Sequence, residues 1–174
     1  MIYTIQIREA IPSDAEKLFN HLKKIAIETG FMTMGIEGPG KSIETETQEI
    51  EAIVASDVTV MLVALDKEEI IGIAEIHGTN RPKLRHIGDI SISIAKDYWG
   101  MRLGTMMMEK LIEWANGPSS SLKRLELTVQ ARNERARRLY EKMGFNLEAI
   151  MPRGVKDEGM YLDVCLMSMM IGEI

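Results

Sequence analysis

A single cysteine, Cys165, rules out an intrachain disulfide, and its place in an apolar run reads as a small buried hydrophobe. Three histidines, His21, His77 and His86, show no metal-ligand spacing, so no metal site is expected. Aromatic residues make up 5% of the chain, with none interleaved among basic residues to stack nucleobases. Positive charge is in deficit: Lys and Arg number 21 against 26 Asp and Glu, a net −5. Both facts argue against a nucleic-acid partner, and only residues 132–138 carry a local basic cluster. No apolar stretch approaches the ~20 residues that span a bilayer. At the start, Ile2 to Ile7 alternates with polar residues, which is not a signal peptide. A cytoplasmic protein, not associated with a membrane, is expected.

The 174 residues suit one domain with one core, and 45% hydrophobic content is enough to fill it. With few aromatics and 14 methionines, that core must be largely aliphatic and Met. No repeat, low-complexity segment or linker appears, so residues 1–174 are expected to form a single domain. Tyr3, Ile5 and Ile7 alternate with polar residues as a first strand, which Pro12 breaks. Ser13 or Asp14 then caps a helix striped by Leu18, Leu22 and Ile25, up to about Thr29. Gly30 to Ser42, with four glycines and Pro39, reads as a loop, either a plain connector or a recognition segment. Glu44 to Ala55 reads as a short acidic helix.

Val58–Leu65 and Ile70–Ile76 are β-rich and flank the turn Asp66–Glu69, forming a hairpin. Ile87–Ala95 is a further strand with one apolar face. Met101–Ala115 has Leu103, Met107, Leu111 and Trp114 at helical spacing. Leu125, Leu127 and Val129 mark a strand, and Glu134–Met143 a helix stopped by Gly144. Two final strands are expected at Phe145–Ile150 and Met160–Ile171, separated by Pro152, Gly154 and charged residues. The order β-α-α-β-β-β-α-β-α-β-β implies an α/β fold with a central mixed sheet and helices on both faces.

Chemistry concentrates at two places. Ile90 to Ile94 runs into Tyr98-Trp99-Gly100-Met101-Arg102-Leu103-Gly104-Thr105, a strand entering a glycine-containing turn that opens a helix. Such a turn leaves backbone N–H groups unpaired at the positive end of a helix dipole, a site for an anion such as a pyrophosphate. A P-loop is excluded, because no Gly-Lys-Ser/Thr ending is present. A dinucleotide fingerprint also fails, since it belongs after the first strand of a βαβ unit.

The second stretch runs from Leu127 through Asn133 and Ala136 to Leu139-Tyr140-Glu141-Lys142-Met143-Gly144-Phe145. It resembles the GNAT family of N-acetyltransferases, with its strand, Asn, Ala and Leu-Tyr-Glu-Lys-x-Gly-Phe. The earlier turn resembles the same family's acetyl-CoA motif, Gln/Arg-x-x-Gly-x-Gly/Ala. With the hairpin and the first strand–helix unit, the resemblance covers nearly the whole chain.

The resemblance implies the acyl-CoA N-acyltransferase fold, a mixed and mostly antiparallel sheet. It implies acetyl-CoA as cosubstrate and a primary amine as acceptor, on a small molecule or a protein N-terminus. The amine would attack the thioester directly, with no covalent enzyme intermediate. Gly100, Met101, Arg102, Leu103, Gly104 and Thr105 would hold the diphosphate. Ile92, Ser93 and Ile94 would pair with the pantetheine arm and offer an N–H to the carbonyl oxygen. Asn133 matches the family asparagine near that arm, and equally suits a helix N-cap. Tyr140 matches the general acid toward the CoA sulfur, although its helical face with Ala136, Leu139 and Met143 is also that of a core residue. Asp89 or Glu75, on strands expected to be neighbours, would take the ammonium proton directly or through water, Asp89 leading into the cofactor strand. One of Arg132, Arg135, Arg137 and Arg138 would reach a cofactor phosphate, the others lying on a solvated face.

The chain departs from the pattern at Arg102, where the family has its first glycine, and at Trp99, where Gln or Arg is common. Arg102 motivates an alternative: a CoA-binding sensor or partner protein of the same fold that has lost turnover. Gly30–Ser42 and Pro152–Gly159 are expected to shape the acceptor pocket. The apolar final strand is a candidate for pairing across a homodimer.

Overall fold

The computed structural model describes residues 4–173, so Tyr3 lies outside the described residues. The elements are β1 (Ile5–Glu9), α1 (Ala15–Glu28), α2 (Ile43–Val54), β2 (Val60–Asp66), β3 (Glu69–His77), β4 (Ile87–Ile94), α3 (Leu103–Ala115), β5 (Arg124–Gln130), α4 (Glu134–Met143), β6 (Asn146–Asp157) and β7 (Met160–Met170). Their order is the one expected from the sequence pattern. Short 3-10 turns at Pro12–Asp14 and Lys96–Tyr98 lead into α1 and toward α3.

The seven strands form one sheet in the order β1-β2-β3-β4-β5-β7-β6. Every neighbouring pair is antiparallel except β4 and β5, which are parallel and joined by the α3 crossover. Strands β2 and β3 are buried on both faces, which is why they read as near-continuous apolar runs. Val60, Leu62, Ala64, Ile71 and Ala74 share a core with Met107 and Leu111 of α3. Met61, Val63, Leu65 and Ile73 pack instead with Leu18 of α1 and Ile50 of α2. Helices therefore cover both faces of a mixed α/β sheet, as expected.

Three local expectations are corrected. Neither Ser13 nor Asp14 caps α1 through its side chain. The Asp14 carboxylate turns back to accept 2.7 and 2.9 Å bonds from the Arg8 guanidinium and a 2.9 Å bond from the Ile11 amide. Second, Pro152 and Gly154 do not separate two strands. β6 runs through them to Asp157, with a register shift between Met151 and Val155. It lies at the sheet edge, where a proline that cannot donate is tolerated and a bulge absorbs the extra residues. Third, β7 is an inner strand among the described residues, paired on both sides from Val164 to Ser168. Along Val164–Met170 it pairs with β5, and along Met160–Ser168 with β6.

Candidate active site

The parallel pairing of β4 with β5 covers only Ile87–Asp89 against Arg124–Glu126. Both strands continue, but they line opposite walls of a cleft of about 1000 Å³, Ile90–Ile94 on one side and Thr128–Gln130 on the other. On its other edge β4 stays paired to β3 up to Ile94. The edge of β4 facing the cleft thus offers backbone groups with no strand partner among the described residues, which suits pairing with an amide-bearing ligand.

The turn from Trp99 to Thr105 closes one end of the cleft. Gly100 has φ +79° and Arg102 φ +62°, both left-handed. A glycine in place of Arg102 would adopt this conformation without strain, so the arginine keeps the turn's shape at a cost of about 1 kcal/mol. Arg102 is the N-cap of α3 and gives no side-chain cap bond, so the first-turn amides are left for a ligand. Trp99 Nε1 donates to the Ile94 carbonyl at 2.9 Å, tying the turn to the end of β4. The Arg135 guanidinium stacks 4.7 Å above the Trp99 ring, placing a fixed positive charge beside Gly100.

Arg102→Gly is therefore expected to stabilise the fold by about 1 kcal/mol, raising Tm by roughly 2–4 °C in thermal unfolding. An unchanged or lower Tm would show that the left-handed turn is not strained here.

Gly104 sits where α3 meets α4 and β4. An added Cβ would come within 3.1 Å of Leu139 Cδ2 and 3.3 Å of Ile94 Cδ1. Leu103 is buried beneath the turn, and Gly100, Arg102, Gly104 and Thr105 line the cleft. Met101 does not line it and is half exposed.

Tyr140 lines the cleft from α4 and is 6% exposed. Burial pushes its phenol up to about 12, so it carries its proton throughout the neutral range. Asn133 is the N-cap of α4, its Oδ1 accepting the Ala136 amide at 3.2 Å, and it also lines the cleft. Asp89 lies on the cleft wall. Although exposed, Asp89 has its pKa raised from the ordinary aspartate value by partial loss of water, with His77 opposing and Glu126 reinforcing the shift. Glu75 is on the adjacent strand in register with Ser91, but lines a different, smaller chamber.

That chamber, about 290 Å³, meets the cleft at Ser91, Ile92, Ser93 and Met32, which border both. The glycine-rich loop contributes Phe31, Met32 and Thr33 to the cleft and Met32, Pro39 and Lys41 to the chamber. Gly154 and Val155 of β6 also line the cleft.

His21 and the bond from Gln130 to Gly30 carried no local sequence signal, whereas the arginines of residues 132–138 stood out as a basic cluster. His21 of α1 is buried, and its Nε2 shares a 3.0 Å hydrogen bond with Ser93 Oγ at the junction of the two spaces. Burial lowers its pKa to about 4, so the imidazole is uncharged at neutral pH. Arg132 holds the start of the loop. It stacks 5.5 Å over Phe31, bonds Asp157 at 2.8 Å and reaches the Gly30 carbonyl at 3.3 Å. Gln130 Nε2 donates to that same carbonyl at 2.9 Å. Arg137 donates to the Ala131 carbonyl and Arg138 pairs with Glu134. The basic cluster is thus engaged with its own surroundings.

The sheet order, the parted strands and the helix-opening turn together define an acyl-CoA N-acyltransferase-type fold. The chain belongs to the acetyltransferase (GNAT) family, whose model matches residues 26–145. A GNAT-family acetyltransferase from Streptococcus pneumoniae is 39% identical, with a TM-score of 0.93 over 97% of this chain and 99% of that one. The structure of yncA from Salmonella typhimurium with its cofactor acetyl-CoA has a TM-score of 0.83 at 19% identity, covering 98% and 95% of the two chains. The L-amino acid N-acetyltransferase AaaT of Escherichia coli is 27% identical over 107 residues, 62% of this chain. The match spans 65% of that relative's length.

Proposed function

We propose that this acetyltransferase moves the acetyl group of acetyl-CoA to a primary amine by direct attack within a ternary complex. The observation that carries this reading is the cleft itself, which runs between parted strands from the uncapped amides of α3 to the phenol of Tyr140. In the reaction the amine nitrogen bonds to the thioester carbonyl carbon and the carbon–sulfur bond breaks. The amine loses a proton, and the departing CoA sulfur gains one. The α3 amides, with Arg135 beside them, suit the diphosphate. The open edge of β4 suits the pantetheine amides and the carbonyl oxygen. Tyr140 is the proton donor to sulfur, and Asn133 borders the same path.

Asp89 is the proton acceptor in this reading, because its raised pKa makes it a stronger base than an ordinary carboxylate. Only its ionised form accepts a proton. kcat/KM should therefore rise with pH through a midpoint above that of an ordinary aspartate, and Asp89→Asn should lower it by about 100-fold. If Glu75→Gln shows the larger loss, the acceptor is Glu75.

A binding-only role was motivated by Arg102 at a glycine position. The arginine holds the left-handed conformation that a glycine would supply, which supports retained cofactor binding with turnover. Calorimetry with acetyl-CoA, followed by free-thiol release across an amine panel, separates the two. Tight binding with no turnover of any amine would favour the sensor, and no binding at all would remove both readings.

A further inference from the structure

His21 is a buried imidazole that the acetyl-transfer steps above do not use. It lies on α1, 2% exposed, and its Nε2 is 3.0 Å from Ser93 Oγ of β4. Ser93 follows Asp89 and Ser91 at two-residue steps, so the three side chains share one face of the strand. Ser93 itself borders both the cleft and the smaller chamber. A side chain that seldom sits in a core without a partner is thus spent on one hydroxyl at the cleft wall.

The surroundings of the ring decide what it does there. Burial lowers its pKa to about 4, the Lys24 charge adding to the fall. A base so weak cannot hold the proton of an amine at neutral pH, so proton acceptance is not its task. A neutral imidazole carries one N–H and one bare nitrogen. The backbone carbonyls of Ile70 and Ser93 favour a proton on the ring, and a carbonyl cannot donate. The Ser93 hydroxyl can, and Nε2 is the nitrogen beside it. Nδ1 has no aligned hydrogen-bond partner among the described residues, so a bare Nδ1 would go unserved. The favoured arrangement has the proton on Nδ1 and leaves Nε2 to accept from Ser93.

Resting on the acetyl-transfer reading, we propose that His21 is a positioning residue: its Nε2 takes the hydrogen of Ser93 Oγ and turns that oxygen's lone pairs to the cleft, where they accept an N–H of the acceptor amine. A primary amine that has bonded to the thioester carbon carries two N–H bonds. One proton leaves to the base, and the other stays as the N–H of the amide product. Ser93 holds the one that stays. A secondary amine has only the N–H that must leave, so the pair selects primary amines. Because the bond is kept from bound amine to product, its loss falls on the amine KM rather than on kcat.

The test uses the full chain saturated with acetyl-CoA and a panel of proteinogenic amino acids, short aliphatic amines and Ala- and Ser-initiated peptides. The fastest acceptor and its N-methyl form are the probes. Ser93→Ala should raise the KM of the primary amine by about threefold to tenfold, the scale of one hydrogen bond, with kcat and the acetyl-CoA KM nearly unchanged. Its advantage over the N-methyl form should shrink by the same factor. His21→Phe should match Ser93→Ala, and the double variant should be no worse than either, since the ring acts only through the hydroxyl. His21→Gln, whose Oε1 can take the same hydrogen, should restore the native KM. A merely structural histidine would add its loss to that of Ser93→Ala and gain nothing from glutamine. Imidazole 15N–1H correlation spectra should show His21 with its proton on Nδ1, assigned by the signal lost in His21→Gln; this readout stands should His21→Phe not fold. A proton on Nε2 overturns the proposal, as do additive losses in the double variant or a native amine KM in Ser93→Ala. So does a rise confined to the acetyl-CoA KM, which would put the hydroxyl on the pantetheine arm. If the native enzyme acetylates none of the panel, the transfer reading fails and takes this one with it; in an active enzyme the other results overturn this inference alone.

Discussion

Tyr140→Phe should lower kcat by about 100-fold while leaving acetyl-CoA affinity nearly unchanged, the size of one lost proton-transfer partner. The hydroxyl is a small part of a side chain that already packs in the core, with its ring 6.1 Å from that of Phe145. Phenylalanine keeps that packing, so loss of activity without loss of fold isolates the proton. The sign of the pH effect follows from burial. Donation needs the protonated phenol, and a pKa pushed up to about 12 keeps it protonated at all ordinary assay pH values. A fall in rate on the mildly alkaline side must therefore come from another group and persist in the variant. The same burial makes the phenol a weaker acid than the departing thiol, so the proton must move as the carbon–sulfur bond parts rather than before. Unchanged turnover in Tyr140→Phe would remove the residue from the chemistry.

Gly104→Val should reduce acetyl-CoA affinity by about tenfold or more and lower Tm by several degrees, through overpacking of about 1–3 kcal/mol. The first added carbon already meets Leu139 Cδ2 and Ile94 Cδ1 at 3.1 and 3.3 Å, tighter than ordinary contact, and valine adds two further methyl groups. The Leu139 and Ile94 side chains must give way, and Leu139 lies on α4 beside Tyr140. Calorimetry on folded variant protein checks the prediction. Native affinity in Gly104→Val would mean that the start of α3 does not hold the diphosphate.

Much of the architecture was legible because its strands and helices have distinct periods. The α3 helix declares itself by Leu103, Met107 and Leu111, all buried as the spacing requires. The α4 boundaries follow from an N-cap at Asn133 and a left-handed Gly144. The turn from Trp99 to Thr105 was legible because backbone geometry leaves a trace in glycines. The smaller chamber was not, for a physical reason. Lys41 and Glu46 lie on a loop and a helix, whereas Glu75 and His77 lie on a strand, and only the tertiary fold joins them. The bond from Gln130 to Gly30 spans 100 residues, and no periodicity encodes such a contact. The path of β6 through Pro152 was hidden because proline marks a break everywhere except on a sheet edge.

The place of β7 between β5 and β6 has a consequence for the birth of the molecule. On an emerging polypeptide, each of β2, β3 and β4 meets a neighbour that is already synthesised, β2 pairing back to β1 across α1 and α2. Among the described residues β6 pairs with β7 alone, and the outer edge of β5 waits for the same strand. Until residues 160–170 leave the ribosome, two exposed ladders stand open to other nascent chains. Completion of this half of the sheet is thus a late event, and the cleft that depends on β5 and α4 matures last.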